Sequence, residues 1–227
     1  MFKLHICMLV GRIMLLLMAI ILYIQGQLNF AKLERPLTIS GAFLIVVWTT
    51  LIIGMLGRII PNKFVTTGAG KHFLPAAPNK ERKVSLSHKG ILTIVVIWFT
   101  LNISLMLVLQ HFDLFNAGIA LIIALIYSIC DISFILFFCP FQKLFMHNKC
   151  CATCRIYNWD FFMTCTPLIP FLHMYSITLV LLSVAVLIRW EVAVYKKSFF
   201  PVIDCVDCKD KMCHAKRKFS KFPKHPE

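Results

Sequence analysis

Ten cysteines in 227 residues are the side chains in this chain best suited to chemistry, and their spacing is far from even. Five fall between positions 139 and 166, in CPFQKLFMHNKCCATCRIYNWDFFMTCT. Three more sit in the tail, in CVDCKDKMCH from Cys205 to His214. Two cysteines separated by two residues can meet one tetrahedral ion from a single tight turn, each sulfur at about 2.3 Å. Cys151 with Cys154 and Cys205 with Cys208 are therefore candidate ligands of one four-sulfur zinc or iron site. Cys150, Cys213 and His214 are additional candidates, and the tail alone offers another set in Cys205, Cys208, Cys213 and His225. The competing chemistry is that of free thiols. His147, Lys149 and Arg155 surround Cys150, Cys151 and Cys154, and a positive field favours thiolate, the reactive form. A disulfide between adjacent cysteines is strained, which suits Cys150 and Cys151 to reversible dithiol exchange. S-acylation of a cysteine close to the membrane is the third reading and stays open.

Few other residues offer chemistry. Asp131 is a lone carboxyl in a long apolar run. A charge at bilayer depth costs about 2.5–3.5 kcal/mol on insertion scales, so it needs a partner or a proton. It is a candidate proton or cation site or a purely structural hydrogen-bonding group, with Trp98, Asn102 and Thr93 expected within reach from the preceding helix and Tyr127, Phe134 and Phe138 on its own face. His173 is expected to be hydrogen-bonded inside the bundle. GAGK at Gly68–Lys71 is not a phosphate loop, because that motif needs glycine at Val65 and Ser or Thr at His72. No nucleophile–histidine–acid order and no metalloprotease motif is present, so hydrolase chemistry has no support.

The elements that must position these residues are membrane helices. The chain is 59% hydrophobic and 15% charged, with mean hydropathy +0.79, against about a quarter charged in soluble domains. The expected fold is all-α, a polytopic integral membrane bundle of about five transmembrane helices near 6–24, 37–60, 91–110, 114–139 and 168–190. The cysteine-rich loop is 139–166, and 191–227 forms a basic tail. The first run is too long for a cleaved leader and reads as an anchor, with Arg12 snorkelling to the surface. Gly54 and Gly57 suggest close helix contact. Tyr157 and Trp159 suit an interfacial aromatic belt. Only His111, Phe112 and Asp113 separate the third and fourth runs, which must form an antiparallel hairpin.

The net charge of +14 then belongs to loops and to anionic lipid headgroups rather than to nucleic acid. The hairpin link holds no Lys or Arg, whereas the flanking loops hold seven, with Arg58 included, and three, and the chain from Arg189 onward holds ten. The basic side stays in the cytoplasm. Five crossings would leave the equally basic tail outside, in conflict with that rule. A re-entrant segment kinked at Pro167 and Pro170 would return it inside, and both placements stay open.

CPFQ followed by NKCCATCRIYNWD resembles a motif of uncharacterised bacterial multi-pass membrane proteins. The likeness covers Cys139 to Pro167 and the cysteine tail; it implies a shared architecture in a bacterial cytoplasmic membrane and carries over no catalytic residue. The leading expectation is a membrane protein with a cysteine-rich metal-binding or thiol-redox site at the membrane surface, coupled to protons at Asp131. Two alternatives are a soft-metal-ion transporter using Cys130, Cys139 or Cys165 and a non-catalytic scaffold whose basic tail binds lipid or a partner.

Overall fold

The computed structural model describes residues 2–28, 38–59, 88–137, 155–171 and 173–195. Within them the ordered elements are all helical. Five helices are long and apolar enough to cross a membrane: α1 (Phe2–Ile24), α2 (Ile39–Ile59), α3 (His88–His111), α4 (Ala117–Leu136) and α6 (Met174–Tyr195). Between α4 and α6 lies a broken run of short pieces: a 3₁₀ turn (Arg155–Asn158), α5 (Asp160–Cys165) and a second 3₁₀ turn (Thr166–Leu168).

The helix ends follow local chemistry. Gly26 after α1 has φ +67°, a left-handed conformation that glycine adopts without steric cost. Thr38 Oγ1 accepts from the Gly41 amide at 3.2 Å, capping α2. Asn116, in extended conformation, accepts from Ile119 N at 3.0 Å and starts α4. The α3–α4 link turns at Asp113, φ 53°, and the expected hairpin is present.

The fifth long helix differs most from expectation: it begins at Met174 rather than Leu168. Pro167 and Pro170 lack the amide donors that a continuous helix would need there, and the chain takes 3₁₀ bonds instead, from Ile169 N to Thr166 O and from Phe171 N to Leu168 O. A 3₁₀ turn rises about 2.0 Å per residue against 1.5 Å for an α-helix, so the short run gains length. It uses that length to traverse the bundle. Asp160 pairs with Arg58 near the end of α2, and Phe171 stacks on Phe115, just before α4, with ring centroids 5.3 Å apart.

Two ends of the bundle are thereby defined. The Arg58 end gathers His5, Arg58 and Asp131 with Asp160. It also holds Ile91 and Ile94 of α3, which pack with Ile156, and Glu191 near the end of α6, which accepts from Trp159. The opposite end gathers Tyr23, whose hydroxyl accepts from Asn116 Nδ2 at 3.0 Å, together with Phe115 and Phe171. There α1 and α4 come so close that a Cβ on Gly118 would lie 2.8 Å from the Tyr23 ring and 3.1 Å from the Leu28 carbonyl oxygen. Residues 160–173 thus lead back across the bundle, and α6 returns the chain to the Arg58 end.

The core is built around that broken run. Phe161, Cys165 and Leu168 belong to one cluster with Val47, Leu51 and Met55 of α2, Leu121, Ala124 and Leu125 of α4, and Leu179, Val186 and Trp190 of α6. Phe161 lies against Gly54, where a Cβ would approach its ring to 3.2 Å. The expected close contact at Gly54 is therefore made within the chain. Around this core, α1 and α3 turn exposed apolar faces outward, among them Val10, Met14 and Leu17, and Leu92, Leu101 and Leu107, the surface that lipid covers in a membrane protein.

Candidate functional site: a buried cluster of Arg and Asp at one end of the bundle

The broken run carries its charge at the start. Asp160, the first residue of α5, is buried and forms an ion pair with Arg58, which is also buried. Asp160 Oδ1 accepts from the Phe161 amide at 2.6 Å, and the Arg58 guanidinium lies 4.8 Å from the centroid of the Phe161 ring, a cation–π distance. One side chain on α2 thus meets both the carboxylate and the aromatic ring that open α5.

A second pair stands beside the first. Arg12 Nη1 is 3.9 Å from Asp131 Oδ2 and donates to the Ser128 carbonyl. His5, buried on α1, and Asp160 both lie within electrostatic range of Asp131. His5 and Arg12 are seven residues apart, so they share one face of α1. Two guanidinium and two carboxyl groups thus share one buried cluster, a pairing of opposite formal charges that lowers the cost of a low-dielectric interior.

Two expectations change here. Arg12 does not snorkel to the surface; its guanidinium turns inward because Asp131 and a helix carbonyl offer it charge and hydrogen bonding inside the bundle. Trp98 and Asn102 do not serve Asp131. Tyr127 donates to Asn102 Oδ1 at 2.7 Å, Asn102 Nδ2 donates to the Trp98 carbonyl at 2.9 Å, and the Trp98 and Tyr127 rings meet edge to face at 4.7 Å. This trio lies farther from the Arg58 end than Asp131 and fastens α3 to α4. Asp131 faces α1 and α5 instead.

Nothing in the spacing joins Arg58 to Asp160: Arg58 ends an apolar run and reads as a loop charge, and Asp160 lies within the cysteine-rich loop 139–166. The available signal was that each is a single charge against an apolar run, one ending α2 and the other opening FFM, and such residues need partners of opposite sign.

Of the cysteines, Cys7 is exposed, Cys130 is half-buried and Cys165 is buried, and all three are free thiols. Cys165 is deep in the core, away from solvent. Cys139, Cys150, Cys151, Cys154, Cys205, Cys208, Cys213, His214 and His225 lie outside the described residues, as does Phe138. Among the described residues, no group of three or more His, Cys, Asp or Glu side chains is arranged to hold a metal ion. His173 lies just before α6 rather than within a long helix, and its carbonyl accepts from the Ile177 amide at 2.8 Å.

Among the described residues, hydrogen bonds join the segment that follows the cysteines to the last long helix. Glu191 Oε1 accepts from Trp159 Nε1 at 3.2 Å and from Asn158 Nδ2 at 3.4 Å. Asn158 follows Cys154 by four positions, and Glu191 begins the last turn of α6, before the tail. Trp159, expected as an interfacial aromatic, thus makes a specific bond through its indole. Comparison of the chain with known protein families, with curated proteins and with solved structures finds no match.

Proposed function

We propose that this is a multi-pass membrane protein whose cysteine loop and cysteine tail act together at one membrane face, as a zinc- or iron-binding or thiol-redox site. Cys151, Cys154, Cys205 and Cys208 are the ligand set, and Cys150 is the additional reactive thiol. One observation carries the reading: the run from Asp160 to His173 recrosses the bundle, so the helix leading to the tail ends beside Asn158 and Trp159. A chain of five simple crossings would part the two cysteine pairs. This one brings their anchor points to the same end.

Charge supports the same arrangement. Of the 24 Lys and Arg residues, only Lys32 and Arg35 belong to a connection between helix ends far from Arg58. The basic end faces the cytoplasm by the positive-inside rule, in the bacterial cytoplasmic membrane that the cysteine motif's resemblance implies, and it attracts anionic headgroups. Metal transport is less well supported. Toward the opposite end the described interior is filled by apolar side chains, including Ala19, Leu22, Leu121, Leu125 and Leu168, and Cys165 is enclosed among them.

Elemental analysis of anaerobically purified protein tests the reading. Wild type should carry a stoichiometric transition metal that both Cys151→Ser and Cys205→Ser lose. Retention of metal by either variant rules out the shared site. A metal-free wild type whose loop and tail cysteines also fail to interconvert between dithiol and disulfide removes both forms of the proposal.

A further inference from the structure

We propose that Asp131 and Asp160 form a proton-binding site inside the bundle, with one proton held between their carboxyl groups and Arg12 poised as the competing cation. The inference is independent of the cysteine chemistry and uses only side chains of the described helices. It starts from a contact: the Asp131 and Asp160 carboxyl groups meet as a side-chain hydrogen-bonded pair, although one belongs to α4 and the other to α5. Ionised carboxyl groups only accept hydrogen bonds. Two of them share a bond only when one carries a proton.

The partners of each oxygen locate that proton. Asp160 is engaged as an acceptor at both of its oxygens: Oδ2 pairs with Arg58, and Oδ1 accepts from the Phe161 amide at 2.6 Å. Asp131 is held less closely. Arg12 Nη1 stands 3.9 Å from its Oδ2, beyond hydrogen-bond distance, and donates to the Ser128 carbonyl. Asp131 is therefore the carboxyl group with an oxygen to protonate, and its O–H donates to Asp160. On release that O–H bond breaks, the proton passes to water at the Arg58 end, and the Arg12 guanidinium closes on the carboxylate left behind. Binding reverses these steps, and no other reactant is needed.

Among the described residues, few other titratable or charged groups face the pair. His5 joins Arg12 on α1, Arg58 comes from α2, and Cys130 adjoins Asp131 on α4. Tyr127, one turn earlier on α4, donates to Asn102. Cys165 of α5 lies within electrostatic range of Asp160, and Glu191 of α6 is held by Asn158 and Trp159. At this end α3 presents apolar Ile91 and Ile94. A metal cation would meet two guanidinium groups here, so the proton is the ligand that fits. His5 begins the first apolar span, which sets the pair near the membrane face that supplies the proton.

Infrared spectroscopy of the full-length protein in lipid nanodiscs at neutral pH tests the site, with every aspartate carboxyl group labelled with carbon-13. Exposed aspartates are ionised at that pH, so a labelled protonated-acid carbonyl band reports the buried pair. Wild type should show such a band with the area of one carboxyl group, and the band should shift in heavy water as the proton exchanges. Asp131→Asn, whose amide N–H takes over the bond to Asp160, should lose the band and keep the thermal unfolding midpoint. Asp131→Glu keeps an acid outside the label and should move the band to its unlabelled position. Arg12→Gln should raise the ratio of protonated to ionised form about tenfold or more, the scale of one nearby opposite charge. A wild type without the band overturns the inference, because both carboxyl groups are then ionised. A labelled band that persists in Asp131→Asn or Asp131→Glu places the proton elsewhere and overturns it as well, and a weaker band in Arg12→Gln removes the competition.

Discussion

Two ion pairs lie side by side near the same end of this bundle, and they are held very differently. Arg58 and Asp160 are 4% and 7% exposed, whereas Arg12 and Asp131 are 18% and 20% exposed and stand 3.9 Å apart. The first joins α2 to the central broken run; the second joins α1 to α4 at the periphery. The difference shows where charge is structural. In the centre both partners are enclosed by protein, while the peripheral pair is less enclosed and Arg12 has a helix carbonyl as a further acceptor.

The largest expected effect therefore comes from the centre. Asp160→Ala leaves the Arg58 charge buried without its carboxylate and should cost about 3–5 kcal/mol, read as a lowered thermal unfolding midpoint in detergent. The double variant Arg58→Met, Asp160→Leu should lose much less than Asp160→Ala alone, because removing both charges removes the unpaired one. A double variant as unstable as the single would show that the pair's charge is not what holds the broken run.

Packing around that run gives the next effect. Gly54→Leu must displace the Phe161 ring, and overpacking of this kind costs about 1–3 kcal/mol. Gly11→Leu on α1, where a Cβ meets nothing within 4 Å, should leave the unfolding midpoint unchanged or raised. Equal losses at the two glycines would erase the distinction between centre and periphery.

Arg12→Leu should fall lower, at about 1–2 kcal/mol, between the ranges for exposed and buried pairs. A loss as large as that of Asp160→Ala would make the peripheral pair an equal member of the core. The smallest effect is expected for Trp48→Phe. It removes the 2.9 Å bond from Trp48 Nε1 to Thr178 Oγ1 between α2 and α6, worth about 1 kcal/mol, and keeps most of the aromatic packing against Tyr175.

What could be read from sequence follows the same division. The five long helices were legible because apolar length is a local property, and the hairpin because a three-residue link leaves no other geometry. The central run was legible only as an anomaly: a basic tail on the wrong side for five crossings, and two prolines where a span should begin. Its path could not be derived, since crossing in so few residues depends on the other helices covering its broken backbone. That these lone charges need partners was legible, but which partners they take was not, for a related reason. Arg12 and Asp131, and Arg58 and Asp160, are brought together by packing between elements distant in sequence, and no spacing rule reports that. The trio Trp98, Asn102 and Tyr127 was half read: the residues do meet across the hairpin, but they satisfy one another rather than Asp131.

The central claim is that the chain recrosses at residues 160–173, so that the cysteine loop and tail share one membrane face. Sidedness measures it most directly, with a membrane-impermeant maleimide applied to sealed vesicles of known orientation. Three chains are needed, each with a single cysteine: Cys150, Cys208, or Phe112→Cys in the α3–α4 link. The account predicts that Cys150 and Cys208 react from the same side and Phe112→Cys from the other. Reaction of Cys208 from the side that labels Phe112→Cys would contradict it.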